Sequence, residues 1–266
     1  MVSFPNAKIN IGLNIIQRRS DGYHNIETVF YPVEALYDVL EMVEAKSTNL
    51  TTYGLEMGGN TENNLIIKAL RLLQKTHKLP ELDIYLKKNI PMGAGLGGGS
   101  ADGSFALKMI NELFCLHLTY KELEQYASQL GADCAFFINN KPVFAEGKGD
   151  VFSNITLSLQ GKYIYIVKPD VSVSTADAYK DTILKKWDLP LQEAIKKPLE
   201  EWKYFIFNDF EDTVFNQYPQ ISQVKQKMYD FGAVYASMSG SGSAVYGIFN
   251  QLQAMPDEVL GFVQFH

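Results

Sequence analysis

The chain has 266 residues, of which 46% are hydrophobic and 20% charged, a composition typical of a folded globular protein. Its formal net charge of −6 argues against binding to the polyanionic backbone of a nucleic acid. The first residues lack the basic and apolar segments of a signal peptide, and no apolar run is long enough to span a bilayer, so the sequence predicts a cytoplasmic protein without a membrane partner.

The cysteines and histidines predict neither disulfides nor a metal site built by the protein alone. Cys115 and Cys134 occur outside any C-x-x-C or Cys/His ligand spacing, and we interpret both as reduced core residues. The four histidines are scattered along the chain. Any metal is therefore expected to arrive with a nucleotide.

The first third of the chain predicts antiparallel β-structure. Apolar and polar residues alternate from Ala7 to Ile15, which predicts a half-buried strand whose polar face carries Lys8 and Asn10. Asp21-Gly22 then predicts a hairpin turn, with Tyr23-His24 just beyond it. Further strands are predicted over residues 26–33, 39–43, 50–57 and 82–88.

Helices are predicted from capping residues and from 3.6-residue periodicity. They span residues 60–75 (opened by Asn60 or Thr61), 100–114, 119–131, 219–231 and a stretch that begins at 174 or 175. Later strands are predicted over residues 163–167, 233–238 and 244–249. The third helix has a capping box, Thr119 with Glu122, and ends at Gly131. The pattern of elements restarts after Gly147-Lys148-Gly149-Asp150, which predicts two domains, residues 1–152 and 153–266.

The segment from Pro91 to Ser100 predicts an anion site. Five of the seven residues from Gly93 to Gly99 are glycines, so backbone N–H groups can converge on a ligand without obstruction by Cβ atoms. A helix is predicted to start near Ser100, and a helix N-terminus carries about half a positive charge. A connector that uses glycine only for a tight turn seldom needs five, so the pattern favours phosphate binding.

Three other families with glycine loops fit this segment less well. The P-loop requires a lysine before the final hydroxyl residue, and Gly99 occupies that place. The run from Gly93 to Gly98 matches the dinucleotide-binding pattern, but the preceding strand alternates and no acid occurs from Leu116 to Leu118. Asp230-Phe231-Gly232 resembles a protein-kinase triplet without its companion motifs and is better explained as a helix end.

Three segments together resemble the signature motifs of GHMP kinases in order and spacing. They are Ala7-Lys8-Ile9-Asn10, the run from Pro91 to Asp102, and Ser239-Gly240-Ser241-Gly242-Ser243. Asp21-Gly22-Tyr23-His24 and Leu130-Gly131-Ala132-Asp133 further resemble the members that phosphorylate the 2-hydroxyl of a cytidine diphosphate-linked methylerythritol in the non-mevalonate isoprenoid pathway. The resemblance covers almost the whole chain. It implies a two-domain α+β fold of mixed and antiparallel sheets with helices, an ATP-binding N-terminal domain, and an active site in the cleft between the domains.

The resemblance also implies roles for single residues. Asp133 corresponds to the catalytic aspartate, and Lys8 corresponds to the lysine that pairs with it. The implied substrate contacts are Asn10, the cytidine-pocket residues Tyr23 and His24, and Tyr179 on the other face of the cytosine. The implied ATP-binding residues are Asn64, Pro91, Gly93, Ala94, Gly95, Leu96, Gly97, Gly98, Gly99, Ser100 and Ala101. The third motif contributes Ser239, Gly240, Ser241 and Gly242. The implied cosubstrate is ATP with Mg²⁺.

Elementary chemistry supports two of these roles but leaves structural alternatives open. Phosphoryl transfer needs an acceptor for the hydroxyl proton, which Asp133 can supply, and the positive charge of Lys8 would keep that carboxyl ionised. Equally, Asp133 could be a helix N-cap and Lys8 a solvated strand lysine. For His24 and Tyr179 the alternatives are a turn histidine and an ordinary buried helix aromatic. Ser100 could cap its helix or present its hydroxyl to phosphate or magnesium.

The chain departs from the family pattern at two places. Cys134-Ala135 stands where the family usually has valine and then proline. Gly103-Ser104 stands where it usually has alanines, and the glycine is expected to cost the helix about 1 kcal/mol. Three alternatives stay open: another GHMP kinase acting on mevalonate, homoserine or galactose, a non-catalytic nucleotide-binding homologue, and a dehydrogenase.

Overall fold

A computed structural model describes residues 1–56, 58, 60–180, 182 and 184–253, together with the backbone of 262–265. The strands in these ranges are β1 (Val2–Ser3), β2 (Asn6–Arg18), β3 (His24–Tyr37), β4 (Val39–Ala45), β5 (Asn49–Gly54), β6 (Glu81–Lys88), β7 (Val143–Glu146), β8 (Val151–Asn154), β9 (Tyr163–Val167), β10 (Tyr235–Met238), β11 (Val245–Phe249) and β12 (Phe262–Phe265). The α-helices are α1 (Leu65–Gln74), α2 (Gly98–Leu113), α3 (Tyr120–Leu130), α4 (Phe136–Asn139), α5 (Thr175–Lys180), α6 (Leu191–Ala194), α7 (Trp202–Phe205), α8 (Phe210–Gln217) and α9 (Pro219–Asp230).

Within the described ranges the strands form three four-stranded sheets. Their orders are β1-β4-β6-β5, β2-β3-β7-β8 and β10-β11-β9-β12. The predicted antiparallel pairing is confirmed for β4 with β6, but it is wrong for β5, which pairs with β6 in parallel. The reason is that α1 lies between β5 and β6 in sequence, and a helical crossover returns the chain in the same direction. Residue 57, the end of the strand predicted over residues 50–57, lies outside the described residues.

The chain divides into two compact units. Unit 1 comprises residues 1–7, 36–92 and 97–141, and unit 2 comprises residues 8–35, 93–96 and 142–266. Unit 1 contains the sheet β1-β4-β6-β5 and helices α1 to α4. Unit 2 contains the sheet β10-β11-β9-β12 and helices α5 to α9. None of the helices in the described part of the chain has the length and apolar content needed to cross a membrane.

The first predicted strand is more buried than its pattern indicates. In β2 every residue from Asn6 to Ile15 is buried, so the prediction of a half-buried strand is wrong. Hydrogen bonds accommodate the buried polar side chains: Lys8 Nζ donates to Asn10 Oδ1, and Asn10 Nδ2 donates to Thr28 Oγ1 at 3.0 Å. Buried polar groups need such partners. The predicted closeness of Lys8 and Asn10 is confirmed.

The capping residues fix where the helices of unit 1 start. α3 has the predicted capping box between Thr119 and Glu122. α2 starts at Gly98, two residues before the predicted position. α1 starts later than predicted because its N-cap is Asn64, whose side-chain oxygen accepts a backbone hydrogen bond at 2.9 Å.

The two cysteines lie in different environments. Both are free thiols, as predicted, and Cys134 is buried. Cys115 is exposed, so its assignment to the core is wrong. It follows the end of α2 with a φ of 48°, in a surface turn that carries its side chain away from the packed face of the helix.

Candidate active site

The glycine-rich loop leads into the N-terminus of α2. The N-cap is Gly97, in the left-handed region with a φ of 71°, and no side chain in the described residues caps the helix. The first backbone N–H groups of α2 therefore remain for another acceptor, such as an anion. Ser100 lies inside the first turn, so capping, one of its two predicted roles, is wrong.

The glycines of the loop differ in what surrounds them. A Cβ atom placed on Gly93 or Gly99 meets no atom within 4 Å. At Gly95 it would lie 1.9 Å from the backbone oxygen of Ser239, and at Gly98 it would lie 2.9 Å from an isoleucine side chain. Gly95 and Gly98 are thus required by packing. Gly93 and Gly99 leave open space beside the backbone, which is what a ligand in this loop needs.

In unit 2 the first and third sequence motifs contact the middle of the glycine loop. The backbone N–H of Lys8 donates to Leu96 O at 2.9 Å, and that of Asn10 donates to Ser239 Oγ at 3.1 Å. The Ser239 hydroxyl in turn donates to Gly95 O at 2.8 Å. The fold therefore brings together Lys8, Asn10, two loop residues and Ser239, which are far apart in sequence.

The third motif forms the turn between β10 and β11. Gly240 and Gly242 both have positive φ, 56° and 86°, which favours glycine at these positions. Between them the Ser241 hydroxyl lies 3.1 Å from the hydroxyl of Thr175, at the start of α5. Ala244 donates to Ala94 O at 3.1 Å, a second contact with the glycine loop. The third motif therefore forms a tight turn and also contacts two other segments, the start of α5 and the glycine loop.

Lys8 is a buried lysine. Its exposed fraction is 3%, and its Nζ lies 4.7 Å from the centre of the Phe30 ring as well as donating to Asn10. Lysine is almost never fully buried without partners. The alternative that Lys8 is a solvated strand lysine is therefore wrong. Because the dielectric constant of the protein interior is lower than that of water, the positive charge of the Lys8 ammonium group acts strongly on neighbouring groups.

Asp133 belongs to unit 1, in the segment between α3 and α4, and is half-buried. The N-cap of α4 is Ala135, so the alternative that Asp133 caps this helix is wrong. The next residue, Cys134, accepts a hydrogen bond at its backbone oxygen from the hydroxyl of Ser104 at 2.6 Å. Ser104, which sequence reasoning noted only as a departure from the family, thereby ties the Asp133 segment to α2.

A pocket of about 300 Å³ in unit 1, here the unit 1 pocket, contains two of the predicted ATP-binding residues, Asn64 and Gly99. Its full lining in the described residues is Leu50, Thr52, Gly58, Asn60, Thr61, Asn63, Asn64, Leu65, Lys88, Met92, Gly99 and Asp102. The Asn64 side chain also caps α1. The predicted nucleotide-side asparagine and the start of α2 therefore share one cavity.

A buried ion cluster lies beside this pocket. Lys88 Nζ donates to Asp38 Oδ2 and, at 2.8 Å, to Asp102 Oδ2, and all three side chains are almost fully buried. Burial raises the pKa of Asp102 to about 8, against the lowering effect of Lys88. Burial lowers the pKa of Lys88, but the two carboxyls outweigh it and leave that pKa raised. One lysine between two carboxyls favours retention of a proton by Asp102.

The cluster also joins the two ends of the glycine loop. Asp38 Oδ1 accepts the backbone N–H groups of Asn89 at 2.6 Å and Ile90 at 2.9 Å, immediately before Pro91. Asp102 belongs to α2, immediately after the loop. Sequence reasoning missed this cluster because Asp38 and Lys88 belong to no motif, and only Asp102 does.

A second pocket, of about 750 Å³, lies in unit 2 and contains all three predicted cytidine-pocket residues. The lining of this unit 2 pocket is Arg18, Gly22, Tyr23, His24, Lys148, Thr175, Ala176, Tyr179, Lys180, Thr182 and Leu184. The rings of His24 and Tyr179 are stacked, with centres 4.5 Å apart and 12° between their planes. Tyr23 is 61% exposed. Residues that are distant in sequence thus form one aromatic surface.

The electrostatics of the unit 2 pocket favour a neutral His24. Its partial burial, and secondly the positive charge of Arg18, lower the pKa of the imidazole. A neutral imidazole has one hydrogen-bond donor and one acceptor. Such a group can contact the polar edge of a pyrimidine, which also presents both kinds of atom.

The donors for a magnesium ion are sparse. Within the described ranges no three His, Cys, Asp or Glu side chains converge in a way that could hold a metal. Mg²⁺ usually takes one or two protein oxygens and receives its other ligands from substrate phosphates and water. The carboxylate of Asp133 and the hydroxyl of Ser100 carry oxygens of the type that Mg²⁺ prefers.

Comparison with known proteins identifies the class to which this fold and glycine loop belong. Residues 64–141 match the family model of the GHMP kinases N terminal domain, and residues 191–258 match that of the GHMP kinases C terminal domain. These matches leave residues 142–190 between them, so the domain boundary at residue 152 stays a prediction. A crystal structure of homoserine kinase from Cytophaga hutchinsonii shares the fold at 19% identity and a TM-score of 0.65, covering 92% of this chain and 85% of that one.

More similar relatives define the branch. A 4-diphosphocytidyl-2-C-methyl-D-erythritol kinase of Bacteroides fragilis is 55% identical over 94% of this chain and 92% of its own. One from Cytophaga hutchinsonii is 47% identical over 94% and 93%. A crystal structure of 4-(cytidine 5'-diphospho)-2C-methyl-D-erythritol kinase has a TM-score of 0.78 at 29% identity, covering 93% and 89% of the two chains. The chain belongs to the GHMP kinases and, within them, to the 4-diphosphocytidyl-2-C-methyl-D-erythritol kinase family.

Proposed function

We propose that this protein transfers the γ-phosphoryl group of ATP to the 2-hydroxyl of 4-diphosphocytidyl-2-C-methyl-D-erythritol. The observation that carries the proposal is the 55% identity with a kinase of that name over nearly the whole of both chains. The two pockets agree with it, because one borders a helix N-terminus suited to phosphate and the other is aromatic. The activity places the protein in isoprenoid precursor synthesis.

ATP binding is assigned to the glycine loop, the start of α2 and Asn64. Support comes from the N-terminus of α2, which has no side-chain cap in the described residues, and from the open space beside Gly93 and Gly99. The N–H groups of a helix N-terminus and its dipole both favour a phosphate there. Asn64 borders the same cavity as Gly99 and would contact the nucleoside part.

The chemical step is assigned to Asp133 and Lys8. Asp133 would accept the proton of the substrate hydroxyl as its oxygen attacks the γ-phosphorus. Lys8 would stabilise the negative charge of the transition state. Asn10, which accepts a hydrogen bond from the Lys8 ammonium group, would orient that group and contact the substrate. Mg²⁺ would enter with ATP, bound to its phosphates, and neutralise their charge.

The cytosine is assigned to the unit 2 pocket. Tyr23 and Tyr179 offer ring faces for stacking, and His24 offers a neutral imidazole to the polar edge of the base. His24 and Tyr179 stack on each other with ring centres 4.5 Å apart, which holds the imidazole against the tyrosine ring within the pocket. Because ATP and the diphosphate substrate are both charged metabolites, we place the activity in the cytoplasm.

A thermal-shift screen tests the proposal directly. Cytidine diphosphate, mevalonate, homoserine and galactose are each added to the protein together with an ATP analogue, and the melting temperature is recorded. Relative to the protein with the ATP analogue alone, we expect a further rise with cytidine diphosphate and none with the other three, since a ligand that binds only the folded state raises its stability. A rise with mevalonate or homoserine alone would instead support one of the other GHMP kinase activities.

A further inference from the structure

The unit 2 pocket is positively charged although the chain is acidic. Three of its lining residues, Arg18, Lys148 and Lys180, carry a positive charge, and none of the lining residues that the structure describes is an acid. The chain as a whole has a formal net charge of −6. A positively charged pocket on an acidic protein raises the local concentration of anions. The charge of this pocket therefore points to an anionic ligand.

These cations are available to a ligand. The Arg18 guanidinium and the Lys180 ammonium have no hydrogen bond or ion pair with any residue that the structure describes, and Lys148 Nζ lies 5.0 Å from the centre of the Tyr23 ring. All three side chains are exposed, so they keep most of their hydration until an anion arrives. Their charges are therefore not already neutralised within the protein.

One acidic group beside the pocket is already paired with an arginine. Asp21, at the hairpin turn beside the pocket, accepts from Arg19 Nε at 3.1 Å and from Arg19 Nη2 at 3.0 Å. Arg19 and, more weakly, Lys148 act on this carboxylate and lower its pKa. A fork of this kind is a preferred geometry for an arginine and a carboxylate. It leaves Lys148 facing the aromatic side of the pocket rather than bound to Asp21.

We propose that Arg18, Lys148 and Lys180 bind the diphosphate of the cytidylated substrate and so determine the preference for a nucleoside diphosphate over a nucleoside. This inference rests on the proposed function, in which the base occupies the aromatic part of the same pocket. A guanidinium can bind two phosphate oxygens at once, and an ammonium acts as a mobile point charge. The cavity of about 750 Å³ lies in the range of pockets that enclose ligands of this size.

The test compares cytidine, cytidine monophosphate and cytidine diphosphate by calorimetry on the intact protein. In the wild type we expect affinity to rise with each phosphate, and the gain to shrink as salt is added because exposed charges are screened. Each of Arg18→Gln, Lys148→Met and Lys180→Met is expected to lower the ratio of diphosphate to cytidine affinity about threefold to tenfold, leaving cytidine binding unchanged.

Lys203→Met serves as the matched control, because it removes one positive charge from an exposed lysine of unit 2 that does not line the pocket. It is expected to leave the ratio unchanged. A wild type that binds cytidine as tightly as cytidine diphosphate would overturn the inference and leave the proposed substrate in place. Equal losses for both ligands in the three variants would also overturn it, since the side chains would then only shape the pocket. A wild type that binds no cytidine compound would overturn the proposed substrate itself.

Discussion

The two pockets are built in opposite ways. The unit 1 pocket lies beside backbone groups and a buried ion cluster, in which Lys88 is held between Asp38 and Asp102. The unit 2 pocket is formed by exposed side chains, with Tyr23 61% exposed and three cations facing solvent. The glycine loop that borders the unit 1 pocket offers backbone N–H groups fixed by packing, whereas the unit 2 pocket depends on the particular side chains present.

The glycine loop can be predicted from the sequence, but the unit 2 pocket cannot. A backbone site needs glycines at fixed spacing, so the five glycines of the loop are visible in the sequence itself. The unit 2 pocket draws its residues from the β2–β3 turn, the β7–β8 turn and α5. Nothing in the local pattern of any one of these segments predicts that they meet. We therefore expect substitutions in the two pockets to have separable effects, and the following variants test that separation.

Asp133→Asn should give the largest effect, because it removes the proposed proton acceptor without altering either pocket. The turnover number is expected to fall about a thousandfold, within the range for loss of a general base. The affinities for an ATP analogue and for cytidine diphosphate should stay near those of the wild type in calorimetry. Substantial turnover in the folded variant would remove Asp133 from the role of base. Loss of either affinity would show that binding and chemistry are not separable here.

Gly99→Val should weaken ATP binding at least tenfold while cytidine diphosphate binds normally. The new side chain would fill the open space beside Gly99, where the N-terminus of α2 offers its N–H groups. Replacing a helix glycine should not lower the melting temperature, because glycine is disfavoured in helices by about 1 kcal/mol relative to alanine. Gly99 is a better choice than Gly98, where packing leaves no room for a side chain. Unchanged ATP affinity would place the nucleotide elsewhere.

His24→Ala is the matched change in the other pocket and should have the reverse selectivity. The Michaelis constant for the cytidylated substrate is expected to rise about tenfold, in line with about 1–3 kcal/mol for leaving the polar edge of the base without its hydrogen-bond partner. The constant for ATP should not change. If His24 only shaped the turn before β3, the variant would show a lower melting temperature with intact affinity for cytidine diphosphate, and measuring both on one preparation distinguishes the two outcomes.

The last variant concerns the ion cluster and changes the pH dependence of stability rather than binding or turnover. Burial raises the pKa of Asp102 from 3.8 to about 8 in the folded chain. Between these values the folded chain holds a proton that the unfolded chain has lost, so this group's contribution to the free energy of unfolding falls as pH rises. Asp102→Asn should flatten that slope by at most about 1.4 kcal/mol per pH unit. Urea unfolding of both proteins across this pH range measures it, and identical slopes would contradict the raised pKa.

The sequence predicted most elements of the fold but misjudged what surrounds them. Alternation along β2 indicated one wet face, yet both faces are buried, because the structure supplies partners for Lys8 and Asn10 that no local pattern contains. Gly103 was expected only to weaken α2. A Cβ atom there would lie 2.9 Å from the side chain of Leu65, so the glycine allows α1 and α2 to approach closely.

The candidate site was predicted where chemistry is local and missed where it is not. The glycine loop and the neighbourhood of Lys8 and Asn10 follow from short motifs. Asp38, Ser104 and Lys148 belong to no such motif, and each acts through a contact with a segment distant in sequence or through the charge of a pocket. Sequence reasoning noted Lys148 only as part of a domain boundary, because a single exposed lysine gives no sign of the cavity that it faces.

The most direct test of the proposed activity is a phosphorus NMR experiment on the purified protein with ATP, Mg²⁺ and 4-diphosphocytidyl-2-C-methyl-D-erythritol. We expect ADP to appear in equal amount to a new phosphomonoester resonance, with the diphosphate resonances of the substrate retained, and this product to form about a thousandfold more slowly with Asp133→Asn. Absence of the phosphomonoester with this substrate, while mevalonate or homoserine is phosphorylated under the same conditions, would contradict the proposed function.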